Sequence, residues 1–210
     1  DRSRGLGDVY KRQVFPTHAV LGEEGYAGDR NSEYEWIVDP IDGTVNYFYT
    51  IPWFCVSIAL RRRGEIVLGV IYDPMMDECW HVEKGGIPYM NDHPMHCSRR
   101  EKMAEAVVFV GHGKTDGSKE KGIERFAKIA WQVRKVRNNG SAALALAYIA
   151  CGRFDAYVES VISIWDIAAG VLLVEAAGGK VVLEPKEGKP EQFAIIAWNG
   201  RIPIMEALDE

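Results

Sequence analysis

The stretch Trp36-Ile37-Val38-Asp39-Pro40-Ile41-Asp42-Gly43-Thr44 constrains this chain more than any other. It is an apolar, strand-like run that ends in two aspartates three residues apart. Packing alone explains it poorly, because carboxylates resist burial unless they are paired or bind a cation. Two further acids stand in separated places, Glu23 and the Asp166 of Trp165-Asp166. Several hard oxygen ligands converging on one point are what Mg²⁺ needs to hold a phosphate ester for attack by water.

The local chemistry of the run supports that reading. Pro40 stiffens the turn between the two acids, so both can face one cation. Gly43 allows close backbone approach, and Thr44 opens a short helical turn whose free N–H groups favour an anion. Acids beside an anion-binding helix start would repel the anion without an intervening metal. The bland alternative is that Asp39 and Asp42 only cap a turn. Asp166 has its own alternative as a helix cap, which is compatible with metal ligation.

Bulk properties narrow the class. At 210 residues with 47% apolar content, the chain has the length for one large domain with a sizeable core. A net charge of −5 argues against broad nucleic-acid binding, though not against a small anion carried by a metal. Cys55, Cys79, Cys97 and Cys151 form no C-x-x-C pair, which suggests a reducing, cytoplasmic setting. No apolar stretch is long enough to span a bilayer, so no membrane partner is expected. Residues 1–13 are polar and without period; they read as a non-native or disordered leader, with the domain spanning 14–210.

Along the chain, strands are predicted over residues 34–39, 54–62, 65–72, 79–82, 106–110, 132–136, 155–159, 180–183 and 193–197. Helices are predicted over 118–131, 141–151, 165–177 and 204–208, the first with Ile123, Phe126, Ala127 and Ala130 on one side. Strands and helices interleave without a strict βαβ period. An α+β layered sheet-and-helix sandwich fits better than a simple doubly wound sheet.

Three ordered motifs carry a resemblance. Leu21-Gly22-Glu23-Glu24, then Trp36 to Thr44 with Val45-Asn46-Tyr47, then Ser163-Ile164-Trp165-Asp166-Ile167-Ala168-Ala169-Gly170 with Glu175 to Gly179 beyond, are similar to those of the inositol monophosphatase family. The likeness implies an αβαβα sandwich and Mg²⁺-dependent, lithium-sensitive phosphomonoester hydrolysis with two to three ions. By motif position it implies metal ligation by Glu23, Asp39, the Ile41 carbonyl, Asp42 and Asp166. Gly43 and Thr44 would contact phosphate, with Glu23 and the Thr44 hydroxyl orienting the attacking water. Asp42, Gly140, Ser141, Ala142 and Glu159 would meet the substrate, a small phosphorylated polyol or sugar. A homodimer is also implied.

Within the family, fructose-1,6-bisphosphate and 3′-nucleotide phosphatases share the metal motifs. From another class, a silent fragment or binding module is the alternative, since the family's upstream helical pair and Asp/Thr loop have no counterpart before Gly22. Other signals carry less. Gly113-Lys114-Thr115 mimics a P-loop, but Val108 stands where the first glycine is required. His93, His96 and Cys97 read as a turn rather than a zinc site, and Arg61 to Arg63 as a solvated hairpin tip. Trp36, Trp53, Trp131, Trp165 and Trp198 are expected in the core.

Overall fold

The computed structural model describes residues 14–113 and 116–209. The leader, residues 1–13, and Lys114-Thr115 of the P-loop mimic therefore lie outside the described residues.

The strands are β1 Ala19–Gly22, β2 Gly25–Ala27, β3 Tyr34–Asp42, β4 Cys55–Arg62, β5 Glu65–Asp73, β6 Glu78–Glu83, β7 Tyr89–Met90, β8 His93–Pro94, β9 Val107–Val110, β10 Lys135–Arg137, β11 Ala156–Ser163, β12 Lys180–Lys186 and β13 Lys189–Trp198. The helices are α1 Thr44–Phe48, α2 Asp116–Ala130, α3 Ala142–Ala150, α4 Ile164–Ala176 and α5 Ile204–Asp209. An eight-stranded sheet runs β2-β1-β3-β4-β5-β6-β7-β8, and a five-stranded sheet runs β10-β9-β11-β13-β12.

Alternation decides what faces what. In β4, Cys55, Ser57 and Ala59 are buried while Val56, Ile58 and Leu60 between them are half-buried, the period-two pattern of a sheet with one face sealed. That sealed face packs on α3 and α4, and the same helices pack on the five-stranded sheet from their other side. Both helices are nearly uniform in apolarity, as elements buried all round must be. Gly170 of α4 lets the pair approach closely, since a Cβ there would meet the Leu146 Cβ of α3 at 2.5 Å. Helices α2 and α5 cover the far face of the second sheet over Val108, Val110, Ala156 and Val158. The described layers thus run sheet, helix pair, sheet, helix pair, an α+β sandwich of the kind the sequence implies.

Three local expectations are corrected. The strand expected over 132–136 contracts to Lys135–Arg137, a short charged edge strand after a turn. On α2 the buried residues are Ser118, Gly122 and Ile129, while Ile123 and Phe126 are 65% and 39% exposed. The rotation follows from Gly122, which lies so close to His112 that a Cβ would come within 2.6 Å of the His112 Cβ. Trp131 is 92% exposed, because the chain leaves the helix there before turning into β10. Ile123 and Phe126, with Val110, His112, Gly122 and Asn138, border a cavity of about 230 Å³.

Candidate metal centre

The acids gather at the carboxyl end of β3, on the face sealed by the helix pair. Cα partners Ile37–Ala59, Asp39–Ser57 and Asp42–Cys55 share that face across β3 and β4. In a regular strand, residues three apart point to opposite faces. Here the register shifts between Asp39 and Asp42: three steps on β3 match two on β4. The extra residue is a bulge, and it returns Asp42 to the side occupied by Asp39. The Asp39 Oδ1 accepts the Ile41 N–H at 2.9 Å, which ties the bulge to the acid it serves.

Two helix starts face this strand end. The Asp42 Oδ2 accepts the Ser141 hydroxyl at 2.6 Å and the Ala143 N–H at 2.7 Å, both from the first turn of α3. Ser141 also caps that helix, its Oγ accepting the Leu144 N–H at 3.2 Å. The Cys55 thiol approaches the same Asp42 oxygen at 3.9 Å. Asp166 lies in the first turn of α4, where its Oδ2 accepts the Ser163 N–H at 3.2 Å. Asp39, Asp42 and Asp166 each bring a carboxylate oxygen within 4.8 Å of the others'.

Those contacts do not compensate three clustered carboxylates. Burial, reinforced by the Asp39 charge, raises the Asp42 carboxyl to about 7, against the lowering effect of the Ser141 and Ala143 donors. Burial first, then the charges of Asp42 and Asp39, raises Asp166 to about 9. A donor set of hard oxygens this close, under mutual repulsion, has the chemistry of a site for a hard divalent cation. The residues present fit such an ion.

The remaining predicted residues are placed as follows. Glu23 is exposed in the β1–β2 turn and is not among the three converging acids. It follows Gly22, which pairs in parallel with Val38, so the sheet carries Glu23 to the level of Asp39. Gly22 permits this closeness: a Cβ would sit 2.7 Å from the Val38 carbonyl oxygen. Gly43 takes a left-handed conformation at φ 92° before α1, and a Cβ there would meet the Trp53 carbonyl oxygen at 2.9 Å. Thr44, exposed, donates its hydroxyl to the Ile41 carbonyl at 3.1 Å. Gly140 is exposed, with Ser141 and Ala142 buried behind it. Glu159 is buried on β11, where its Oε2 accepts the Tyr157 hydroxyl at 2.5 Å.

Several participants went unassigned in the sequence. Asn46 donates to both the Trp53 carbonyl at 2.7 Å and the Asn139 carbonyl at 2.6 Å, stapling α1 to the loop before Ser141. It stands inside the signature stretch, so its position was visible while its partner, 93 residues away, was not. Ala143, Cys55 and Tyr157 offered no local signal, whereas Ser163 opened the third motif three residues before Asp166. In the arginine run, Arg61 pairs with Glu35, and Arg62 and Arg63 pair with Glu33 at 2.9 and 3.4 Å. The three-aspartate cluster is the one metal-type grouping among the described residues.

Residues 8–204 match the inositol monophosphatase family. An inositol-1-monophosphatase of Mesorhizobium japonicum is 44% identical over 163 residues, which cover 77% of this chain and 61% of that relative. A Nus factor SuhB of Xylella fastidiosa is 35% identical over 95% of this chain and 74% of its own length. Among solved structures, an inositol monophosphatase from Anabaena superposes with a TM-score of 0.89 at 36% identity, covering 99% of this chain and 84% of that one. The chain belongs to the inositol monophosphatase family.

Proposed function

We propose that this family member is a Mg²⁺-dependent phosphomonoesterase acting on a small polyol phosphate, with inositol 1-phosphate as the first candidate. The observation that carries the reading is the convergence of Asp39, Asp42 and Asp166 within 4.8 Å between two helix starts. Family membership supports it, and so do the inositol-1-monophosphatases among the relatives.

Asp39, Asp42 and Asp166 would hold two to three Mg²⁺ ions, with the Ile41 carbonyl and Glu23 completing the set. When bound, the metal neutralises phosphate charge and lowers the pKa of water, so hydrolysis needs no covalent enzyme intermediate. The N–H groups of Gly43 and Thr44 would bind phosphate oxygens beside those acids. The Thr44 hydroxyl already donates its hydrogen to the Ile41 carbonyl, so its lone pairs would accept a hydrogen bond from the attacking water and orient it. Glu23 would take up that water's other hydrogen bond. Gly140, Ser141, Ala142, Asp42 and Glu159 would surround the alcohol, a carboxylate such as Glu159 suiting a donor-rich polyol. A homodimer and a cytoplasmic setting accompany the reading. No described helix is long and apolar enough to cross a membrane.

Phosphate release from inositol 1-phosphate, fructose 1,6-bisphosphate and 3′-phosphoadenosine 5′-phosphate, with and without Mg²⁺ and Li⁺, tests it. Expected is Mg²⁺-dependent, lithium-sensitive turnover highest for the inositol ester. Turnover highest for either other ester would move the substrate assignment. Turnover that ignores Mg²⁺ would sink the metal reading.

A further inference from the structure

Tyr157 is fully buried, yet it is polar, and its phenol feels the charges of Asp166 and Asp42 in the candidate site. It stands two residues before Glu159 on β11, so both side chains leave the same face of the second sheet. Its ring packs edge-on against Phe109, with centroids 5.3 Å apart, inside the core shared with α3 and α4. A phenylalanine would fill that space without a polar group to satisfy. The hydroxyl donates to the Glu159 Oε2 at 2.5 Å. Gly111 closes on the same oxygen from another side: a Cβ there would lie 1.8 Å from Oε2. Burial and the charges of Glu159, Asp166 and Asp42 push the phenol well above its ordinary range, so it stays a neutral donor.

We infer that Tyr157 and Gly111 form a seat that fixes the Glu159 carboxylate for accepting substrate hydroxyls, which makes Tyr157 a specificity-determining positioning residue. The inference rests on the phosphatase reading above. It predicts that Tyr157 acts on the alcohol part of the ester through Glu159, rather than on phosphate or metal.

The test compares kcat/KM for inositol 1-phosphate with that for p-nitrophenyl phosphate, whose leaving group carries no spare hydroxyl. In Tyr157→Phe the ratio is expected to fall about 5- to 20-fold through the KM of the inositol ester, as for a lost hydrogen bond to a charged group. In a Glu159→Ala background the same substitution is expected to move the ratio less than about twofold, because the group it acts through is gone. Gly111→Ala, whose Cβ meets the Glu159 carboxylate first, is expected to lower the ratio as well. A ratio unmoved by Tyr157→Phe, or lowered equally with and without Glu159, overturns the inference while leaving the phosphatase reading intact. Hydrolysis of neither ester by the unaltered chain overturns that reading and the inference together.

Discussion

Ser141 and Asp42, 99 residues apart in sequence, meet through a 2.6 Å hydrogen bond that joins a strand-end carboxylate to the cap of a buried helix. With the Ala143 N–H at 2.7 Å, it engages Oδ2 twice and sets how Asp42 presents itself to the cluster. The same hydroxyl oxygen caps α3. One side chain thus serves the helix and the acid together. Ser141→Ala is expected to cost about 1–3 kcal/mol of stability, as loss of a cap and a charge-assisted bond. It is also expected to weaken Mg²⁺ binding about 10- to 100-fold, as loss of a residue supporting a ligand does in other metal sites. Ser141→Thr keeps the donor and should restore both. Denaturant unfolding and calorimetric titration read the two effects separately.

Asp39→Asn removes one charge from the cluster while keeping an oxygen for the Ile41 N–H. The two consequences have opposite sign. Mg²⁺-dependent phosphate release should fall by at least about 100-fold, because a hard ligand is lost. Thermal stability of the metal-free protein should rise, because like charges lie close in a partly dry site. A drop in both would mean that Asp39 serves packing rather than a metal.

Protonation supplies a third test. Burial and the repulsion among the clustered aspartates push the Asp42 and Asp166 carboxyls up, to about 7 and about 9, in the metal-free fold. The folded state therefore binds more protons than the unfolded chain, and stability falls as pH rises. The contribution is fully present below the unfolded carboxylate range of roughly 4 and is lost as pH climbs through about 7 and then about 9. The melting temperature of the chelated protein should drop from about pH 5 to about pH 9, and added Mg²⁺ should restore it most at the alkaline end. A chelated protein that gains stability across that range would contradict the repulsion described above.

Asn46 offers a fourth. Replacing it with alanine strands the Trp53 and Asn139 carbonyls and releases α1 from the loop that leads into Ser141. A stability loss of about 1–3 kcal/mol is expected from two unmade hydrogen bonds in a part-buried site. Activity should fall with it, since Gly43–Thr44 and Gly140–Ser141 would lose their common anchor. Equilibrium unfolding and steady-state kinetics on the same sample check both.

Much of the site was legible before any coordinates. The carboxylates of Asp39, Asp42 and Asp166 were recognisable from acids set in apolar surroundings, and Gly43 from its place between Asp42 and the turn at Thr44; that a side chain there would clash with Trp53 emerged only in the fold. The helix that Ser141 caps and the hairpin at Arg63-Gly64, both at positive φ, follow from short-range rules. Failures came where packing in the fold, and not helical spacing, decided. Ile123 and Phe126 have the spacing of a buried helix face, yet Gly122 packs there instead because His112 lies against it. Trp131 carries the apolar bulk of a core residue and stands in solvent.

By itself, then, the sequence determined the ingredients: which acids could serve a cation, which segments extend or coil, and which family they compose. Those properties depend on neighbours within a few residues. Tertiary structure alone decided their arrangement. The bulge that turns Asp42 to the side of Asp39 exists only against β4. The donors that hold Asp42 come from α3, and the third acid comes from the start of α4. Gly111 comes against the Glu159 carboxylate only in the fold. Hydrogen bonds and repulsion act over a few ångströms, so only the folded chain, which brings residues about a hundred positions apart within that reach, can set them.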